Sequence, residues 1–298
     1  MDKMKSCIIC PRSCVVDRSI GEKGYCGETD KIRIARAALH FWEEPCISGD
    51  SGSGTVFFTG CNLGCVYCQN YDIAHEGRGK EVTIERLSEI FMELKDKGAA
   101  NINLVTPTHF SPQIRQAIIL SKSKGLNIPI VYNTSGYETV ESLRELIGIV
   151  DIYLADFKYF DGRLAKKYSN APDYPEIAVR AFDEMVRQQP QLIFDDNGML
   201  LSGVVARHLV LPGQQEDSKK ILEYLYMRYG DSILLSIMNQ FTPSAPLISW
   251  PEINRVLDDE EYQQVVDFAL ELGISNGYIQ EGETAKESFI PPFDNEGV

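Results

Sequence analysis

Six apolar runs of strand length recur along the chain, and segments with a helical pattern lie between them. The runs lack the polar alternation of a half-exposed strand, so we expect strands buried on both faces. They cover residues 55–59, 102–106, 128–132, 152–156, 204–211 and 233–238. The first helical segment has apolar residues spaced i, i+3, i+4, i+7, at Leu87, Ile90, Phe91 and Leu94. Further helical segments cover 113–124, 140–149, 175–188, 218–229 and 258–272.

Buried strands that alternate with helices predict an α/β protein with a parallel sheet. Six β/α units, with room for a short seventh strand at 278–280, form a partial or full (β/α) barrel. In such barrels, chemistry collects at the carboxyl ends of the strands. Polar residues stand where each apolar run stops. We therefore expect the functional site among these strand-end residues.

The first 50 residues differ from the rest of the chain, because they are rich in cysteine and interrupted by proline and glycine. The segment 48–54 carries three glycines and three serines and is typical of a loop or a tight link. The pattern therefore predicts two domains. A small cysteine-rich, metal-binding module covers 1–50, and the barrel covers 51–298.

Composition narrows the class of protein. With 44% hydrophobic and 24% charged residues in 298, the chain is typical of a globular protein with a sizeable core. A net charge of −14 argues against a nucleic-acid partner, since affinity for the phosphate backbone depends on basic patches. No apolar run reaches membrane-spanning length, and the first residues lack a signal-peptide core. We expect a cytoplasmic protein without a membrane partner, a compartment in which the presence of eight cysteines favours metal binding over disulfides.

Three cysteines directly after the first predicted strand form the most informative motif. Cys61, Cys65 and Cys68 have the spacing C-x3-C-x2-C, and glycines at 60 and 64 allow the sharp turns that such a loop needs. Three thiolates can hold three irons of a [4Fe–4S] cluster and leave the fourth iron open. Two other interpretations fit the spacing: a zinc site with a distant fourth ligand, and a closed electron-transfer cluster completed by Cys46.

The motif, with Tyr67 just before the last cysteine, resembles the signature of the radical S-adenosylmethionine (SAM) enzymes. In that family the open iron chelates the amino and carboxylate groups of SAM. One electron from the cluster then yields methionine and a 5′-deoxyadenosyl radical that abstracts hydrogen. The resemblance implies a [4Fe–4S] cluster, SAM, a partial (β/α)6 barrel and a flavodoxin- or ferredoxin-like electron donor. It also implies that Tyr67 positions the adenine.

The second and third strand ends offer candidate SAM contacts. Thr106 and Thr108 stand where the family carries a Gly-Gly-Glu-like stretch, and their hydroxyls and carbonyls are the substitutes available. His109 is either a proton donor or SAM contact, or a histidine at the start of a helix bonded to backbone. Asn133 and Ser135 share one face of an extended segment and could reach ribose or carboxylate. They also fit turn formation before the next helix.

The later strand ends carry charge. Asp156 and Lys158 lie on one face of their strand and resemble the Asp-x-Lys of glycyl-radical activating enzymes, which lies near the SAM carboxylate. A structural ion pair is the alternative. Arg207, inside an apolar strand, needs a partner, and a carboxylate suits its planar fork. We expect it to bind SAM, and we expect His208 to pack between sheet and helix. In the sixth run, Asn239 and Gln240 would face the barrel mouth.

A second cysteine set lies near the start of the chain. Four thiols within 20 residues predict a structural zinc site or an auxiliary iron–sulfur cluster, with free thiols as the alternative, at Cys7, Cys10, Cys14 and Cys26. A module with so few apolar residues would need a metal in order to fold. Cys46 stands apart from both sets, and we expect it to be a packed thiol.

Together, these motifs and the Glu43-Glu44-Pro45 stretch resemble the PflX-type branch of proteins similar to pyruvate formate-lyase activating enzyme. The resemblance implies an enzyme that cleaves SAM and abstracts hydrogen, with a glycyl-radical protein as one candidate partner. A radical enzyme acting on a small molecule or peptide is the nearest alternative. A non-enzymatic iron–sulfur or zinc protein, serving electron transfer or as a scaffold, is the third.

Overall fold

The computed structural model describes residues 4–243, 247–280 and 290–298, so the first three residues of the predicted N-terminal module lie outside the described part. It has ten strands in the described residues, seven of which fall on the predicted apolar runs. They are β1 (Ile32–His40), β2 (Ser53–Phe58), β3 (Lys80–Val82), β4 (Ile102–Val105), β5 (Ile130–Thr134), β6 (Ile152–Asp156), β7 (Ile193–Phe194), β8 (Leu200–Leu209), β9 (Leu234–Met238) and β10 (Gly277–Ile279).

The parallel part of the sheet runs in the order β10-β9-β8-β6-β5-β4-β2. Helices connect the successive parallel strands, as crossover connections require. The six predicted strands and the short seventh strand are all present, with bounds that differ by a few residues. The order continues to β1 and β3 without returning to β10, so the sheet is open. The predicted α/β partial barrel is confirmed.

The longer helices cover the outer face of the sheet with their apolar sides. They are α1 (Pro45–Ser48), α2 (Tyr71–His75), α3 (Ile84–Asp96), α4 (Ser111–Ser123), α5 (Val140–Arg144), α6 (Gly162–Ser169), α7 (Tyr174–Gln188), α8 (Gln215–Tyr229) and α9 (Asp259–Glu271). In α3, Leu87, Ile90, Phe91 and Leu94 are all buried, as the spacing predicts. Among the described helices, none combines the length and apolar character that a bilayer crossing demands.

An antiparallel edge extends the sheet beyond the predicted barrel. Strand β1 pairs with β2 from Ile34 to His40, and its start pairs with β3. The C-terminal segment also reaches β1, because the amide of Ala37 donates to the carbonyl of Glu296. Residues 32–40, which the sequence pattern assigned to the N-terminal module, therefore lie in the same sheet as the barrel strands.

The inner face of the sheet has an apolar layer followed by a polar layer. Val131, Leu154, Val205 and Leu234 point inward and pack against Cys46 and Ile47 of α1, which closes this end of the barrel. Because strand side chains alternate, the inward residue two positions further along each strand lies nearer the carboxyl end. These residues are Asn133, Asp156, Arg207 and Ser236. The fold thus places a polar layer directly above a closed apolar floor.

Candidate functional site

A cavity of about 380 Å³ opens at the carboxyl ends of the parallel strands, within the size range of ligand pockets. The three motif cysteines line it together with most of the predicted cofactor-binding residues. These are Cys61, Cys65, Cys68, Tyr67, Thr106, Asn133, Ser135, Asp156, Lys158 and Arg207. Residues separated by up to about half of the chain are therefore brought to one site, as the strand-end rule predicts.

The loop that carries Cys61, Cys65 and Cys68, here called the cluster loop (residues 60–68), follows β2. Its turns need glycine, since Gly60 has φ +77° and a Cβ there would lie 2.6 Å from the carbonyl oxygen of Cys26. Two donors face the sulfur atoms: the Leu63 amide lies 3.4 Å from Cys61 Sγ, and the Ser169 hydroxyl lies 3.0 Å from Cys65 Sγ. The loop geometry thus presents hydrogen-bonded thiols to the cavity.

The motif thiols also lie close enough to influence one another's ionisation. Burial raises the pKa of Cys68, and the negative charges of Cys61 and Cys65 raise it further, whereas Lys158 lowers it. Among the described residues, no three Cys, His, Asp or Glu side chains surround a point where a single metal ion could sit. The available ligands are three thiols that face the cavity beside Lys158. This arrangement fits an iron–sulfur cluster that the cysteines would bind through three irons, with its fourth iron open toward the cavity.

Arg207 is the centre of a buried charge network on the cavity floor. Its Nε donates to Asp156 Oδ1 at 2.8 Å, its Nη2 donates to Asn133 Oδ1 at 2.7 Å, and its Nη1 donates to Glu43 Oε2 at 3.0 Å. Lys158 Nζ donates to the other oxygen of Asp156 at 2.7 Å. Each nitrogen of the guanidinium therefore has a protein acceptor, which fixes the orientation of its planar fork.

The charges of this network shift each other's pKa values. Burial alone would raise the pKa of Asp156, but Arg207 and Lys158 outweigh it and hold that pKa below its usual value. The pKa of Arg207 is raised, because its acidic neighbours overcome the desolvation that would lower it. The network therefore stays charged, and the ion-pair interpretation of Asp156 and Lys158 is correct as a description of their contacts.

Two acidic residues in this network were not predicted as site residues. Glu43 joins the network by accepting from Asn103 and Asn133 as well as from Arg207. Burial raises the pKa of Glu44, and its Oε2, which makes no hydrogen bond, lies 3.9 Å from Arg207 Nη1. Their only sequence signal is an acidic pair directly before a short apolar helix. The contact with Arg207 spans 164 positions, which local pattern cannot reveal.

Thr106 and Thr108 have different environments, and of the two only Thr106 lines the cavity. Thr106 lines the cavity with φ +58°, an uncommon value for a residue other than glycine. The chain turns there, so Thr108 points away from the cavity and its hydroxyl donates to the buried Glu138. His109 also lies outside the cavity, with Nε2 2.7 Å from the Thr59 carbonyl oxygen. It fits the backbone-bonded alternative, and burial lowers its pKa to about 3.

Glu138 makes stability depend on pH in a direction that can be checked. Burial raises its folded pKa to about 7 from 4.5, although Thr108 and Thr134 donate to it. Between these values the folded state binds more protons than the unfolded state, so stability falls as pH rises and levels off above about pH 7. Glu138→Gln removes this term. We expect the free energy of unfolding of Glu138→Gln, relative to that of wild type, to rise by up to about 3 kcal/mol between pH 4.5 and pH 7.

Thermal unfolding of both proteins across this pH range measures the effect. Glu85→Gln is the control, since the Glu85 carboxylate is fully exposed and its pKa is lowered by backbone and Thr83 hydrogen bonds. A constant difference in Tm between Glu138→Gln and wild type at every pH would contradict the prediction.

The remaining candidates occupy supporting positions. The Tyr67 hydroxyl lies 2.7 Å from the Tyr159 hydroxyl, so the ring points into the core beneath the cavity. His208 lies between Phe157 O and Ser218 Oγ, at 2.8 Å from each, which confirms the prediction that it packs between sheet and helix. Cys46 is buried in the apolar floor, as predicted for a packed thiol. Gln240 lines the cavity.

Comparison with known proteins agrees with this geometry. The family model of the radical SAM superfamily matches residues 55–225, which include most of β2, the cluster loop and the carboxyl ends of all the parallel strands except β9 and β10. The chain belongs to the radical SAM superfamily. Membership implies a [4Fe–4S] cluster and SAM as cofactors, with reductive cleavage of SAM as the general reaction. The cluster loop and the charged cavity fit that cofactor pair.

Individual relatives share about 30% or less of their residues with this chain. An uncharacterised protein of Methanocaldococcus jannaschii is 30% identical over 276 residues, covering 89% of this radical SAM chain and 74% of that protein. The pyruvate formate-lyase-activating enzyme of Clostridium pasteurianum is 29% identical over 120 residues, covering 39% of this chain and 49% of its own. The crystal structure of Streptococcus suis SuiB bound to the precursor peptide SuiA has a TM-score of 0.49 at 12% identity, covering 74% of this chain. This chain spans 46% of the SuiB chain.

Proposed function

We propose that this protein is a radical SAM enzyme that binds SAM in the strand-end cavity and takes hydrogen from a substrate admitted through the open sheet. The observation that supports this most is the common cavity of the three motif cysteines and the buried Arg207 network. A protein that only carried electrons would have no need of an oriented guanidinium at the same site. The cavity therefore favours an enzyme over the scaffold alternative.

In this proposal, Cys61, Cys65 and Cys68 hold the [4Fe–4S] cluster. With one electron from an external reductant, the cluster and SAM supply methionine and a 5′-deoxyadenosyl radical, which becomes 5′-deoxyadenosine on taking a hydrogen atom. The protein contributes binding and orientation, because the cofactor carries the difficult chemistry. The Ser169 hydroxyl donates to Cys65 Sγ and the Leu63 amide to Cys61 Sγ, which would stabilise the thiolate form of these ligands.

The charged floor has groups for both polar ends of the methionine part of SAM. Arg207 and Lys158 are the cations available to its carboxylate, and Asn133, Ser135 and the backbone at Thr106 add polar contacts. No acid follows β4, where the family carries Gly-Gly-Glu. Glu44 Oε2, which makes no hydrogen bond on the cavity floor, is the acid available to the ammonium group instead. Tyr67 backs the adenine end.

For the substrate, we propose a glycyl-radical protein, which would make the enzyme an activase of the PflX-type branch. The similarity to the pyruvate formate-lyase-activating enzyme supports this, together with a sheet that leaves the barrel open at β10. A small molecule or a peptide is the second candidate, since the same opening admits either. A flavodoxin- or ferredoxin-like reductant and a cytoplasmic location complete the proposal. The domain division becomes a cysteine-bearing segment that ends before β1, followed by the barrel.

The experiment is a measurement of SAM cleavage by anaerobically reconstituted protein reduced with dithionite. We expect methionine and 5′-deoxyadenosine in equal amounts, together with a change in the electron paramagnetic resonance (EPR) spectrum of the reduced cluster when SAM is added. Protein with a complete, reducible [4Fe–4S] cluster that forms neither product would refute the proposal. A glycyl-radical doublet on addition of a candidate glycyl-radical protein supports the activase assignment, and its absence with every such protein of the host favours the second candidate.

A further inference from the structure

The four N-terminal cysteines meet in one small volume next to the cluster loop. Cys7, Cys10 and Cys26 are buried, and a Cβ placed on Gly24 would lie 3.4 Å from Cys14 Sγ and 3.7 Å from Cys26 Sγ. Cys7 and Cys26 are also near enough for their charges to act on Cys10. All four are free thiols rather than disulfides. Four thiols drawn from 20 residues therefore lie near one another, although no three of them surround a point where a single metal ion could sit.

Each of these sulfur atoms faces a hydrogen-bond donor. The Tyr25 amide lies 3.2 Å from Cys14 Sγ, and Arg18 Nη1 lies 3.9 Å from Cys7 Sγ. The backbone amides of Arg12 and Glu28 donate to Cys10 and Cys26 respectively. Donors directed at sulfur are the surroundings that a thiolate ligand needs, because they offset its negative charge.

The backbone around these cysteines is strained, and the local apolar core is too small to explain that. Ser13 has φ +42° and Val15 has φ +59°, which is unfavourable for a β-branched residue. The buried apolar cluster of the segment consists of Met4, Cys7 and Ile9, with Val16 packed against it. Strained positions persist only where their surroundings determine the conformation strongly. A metal bound by the flanking thiols would supply that constraint.

We propose that Cys7, Cys10, Cys14 and Cys26 hold a second metal centre, an iron–sulfur cluster rather than a single zinc ion, and that this centre braces the cluster loop. On binding, the four sulfur–metal bonds replace four sulfur–hydrogen bonds, and the protons pass to solvent. This inference does not depend on the proposed function, since a braced loop serves any chemistry at Cys61, Cys65 and Cys68.

Arg12, which lies between Cys10 and Cys14, makes the connection to the cluster loop. Its guanidinium donates to the carbonyl oxygens of Asn62 at 2.8 Å and Leu63 at 3.0 Å, both between the first two motif cysteines. It also donates to two carbonyl oxygens at the end of α6, those of Ser169 and Asn170. The Arg12 side chain therefore links the cluster loop to the end of α6, and both of these segments lie beside Cys65.

Tyr25 holds the Arg12 side chain in this position. The ring of Tyr25 lies 3.8 Å from the Arg12 guanidinium carbon, which is a close cation–π contact. The Tyr25 hydroxyl also lies 3.2 Å from the Cβ position of Gly64. Since Tyr25 donates its amide to Cys14 and precedes Cys26, the four-thiol site orders Tyr25, Tyr25 orders Arg12, and Arg12 orders the cluster loop.

Metal analysis of a variant without the cluster-loop thiols tests the first part. In full-length Cys61→Ala/Cys65→Ala/Cys68→Ala protein, we expect about four irons per chain with matching sulfide. That result supports the cluster. Protein without this iron, whether it is empty or holds zinc instead, would overturn the proposal. If this variant does not fold, the metal contents of wild type and Cys14→Ser/Cys26→Ser are compared instead. Wild type must then contain more metal than this variant, by the same quantity per chain. Cys46→Ser is the control and must contain as much metal as wild type.

Hydrogen–deuterium exchange tests the brace. Cys14→Ser/Cys26→Ser is expected to accelerate exchange in residues 60–70 by at least about tenfold. Arg12→Ala is expected to accelerate it similarly while keeping the N-terminal metal, since the Arg12 amide that faces Cys10 remains. Arg115→Ala, which removes a surface arginine bonded to the carbonyl of Glu145, is the control without effect. Unchanged exchange in residues 60–70 of both variants would overturn the brace.

Discussion

Alanine in place of Cys61, Cys65 and Cys68 together is expected to reduce 5′-deoxyadenosine formation to the level of a protein-free control. Removing all three thiols leaves no protein ligand for the cluster at this loop. Under the proposed function, the remaining Arg207 network would still bind SAM but could not deliver an electron to it. Mass spectrometry of 5′-deoxyadenosine, with iron and sulfide analysis of the same sample, measures both effects.

The matched control for this loss is Cys46→Ala, because Cys46 is a buried free cysteine outside both cysteine sets. It is expected to retain the cluster and SAM cleavage, with a stability cost typical of a small cavity. Cleavage that persists in the triple variant would remove the cluster loop from the mechanism. Loss of cluster iron in Cys46→Ala would instead support a cluster completed by Cys46, the closed electron-transfer interpretation.

The sequence predicts the barrel and the cavity well because both follow from local periodicity. Uniformly apolar runs define the parallel strands, and side-chain alternation then determines which residues point inward. Arg207 and His208 illustrate this, since they are adjacent in β8 and lie on opposite faces as expected. Strand ends in a parallel sheet share one edge, so residues far apart in sequence could be assigned to one site.

What could not be predicted depends on contacts between distant segments or on one backbone angle. Arg12 lies 50 positions from Asn62, and no periodicity relates the two residues. The pairing of β1 with β2 could not be predicted from the residues of β1, because it depends on which strand lies at the edge of the sheet. Thr108 is predicted as a SAM contact because it stands, with Thr106, where the family carries Gly-Gly-Glu, but the positive φ at Thr106 turns the chain away from the cavity.

Arg207→Lys is expected to weaken SAM binding by about 10- to 100-fold, which corresponds to losing a charge-assisted hydrogen bond of about 1.5–3 kcal/mol. Lysine keeps the charge but cannot donate at once to Asp156, Asn133 and Glu43. Arg207→Ala is expected to cost about 3–5 kcal/mol of stability as well, because it leaves buried carboxylates without their partner. Anaerobic titration of the reduced cluster with SAM, followed by EPR, gives the affinity, and thermal unfolding gives the stability.

A purely structural role for Arg207 can be separated from a role in binding SAM. Glu43→Gln removes one charged partner of Arg207 but leaves the guanidinium in the cavity. We expect it to reduce stability with a much smaller effect on SAM affinity than Arg207→Lys. Arg163→Lys, on the exposed pair with Asp161, should change neither quantity appreciably. If Arg207→Lys and Glu43→Gln reduce stability alike and both leave SAM affinity unchanged, Arg207 supports the cavity floor and the carboxylate of SAM must bind elsewhere, with Lys158 the remaining cation of the network.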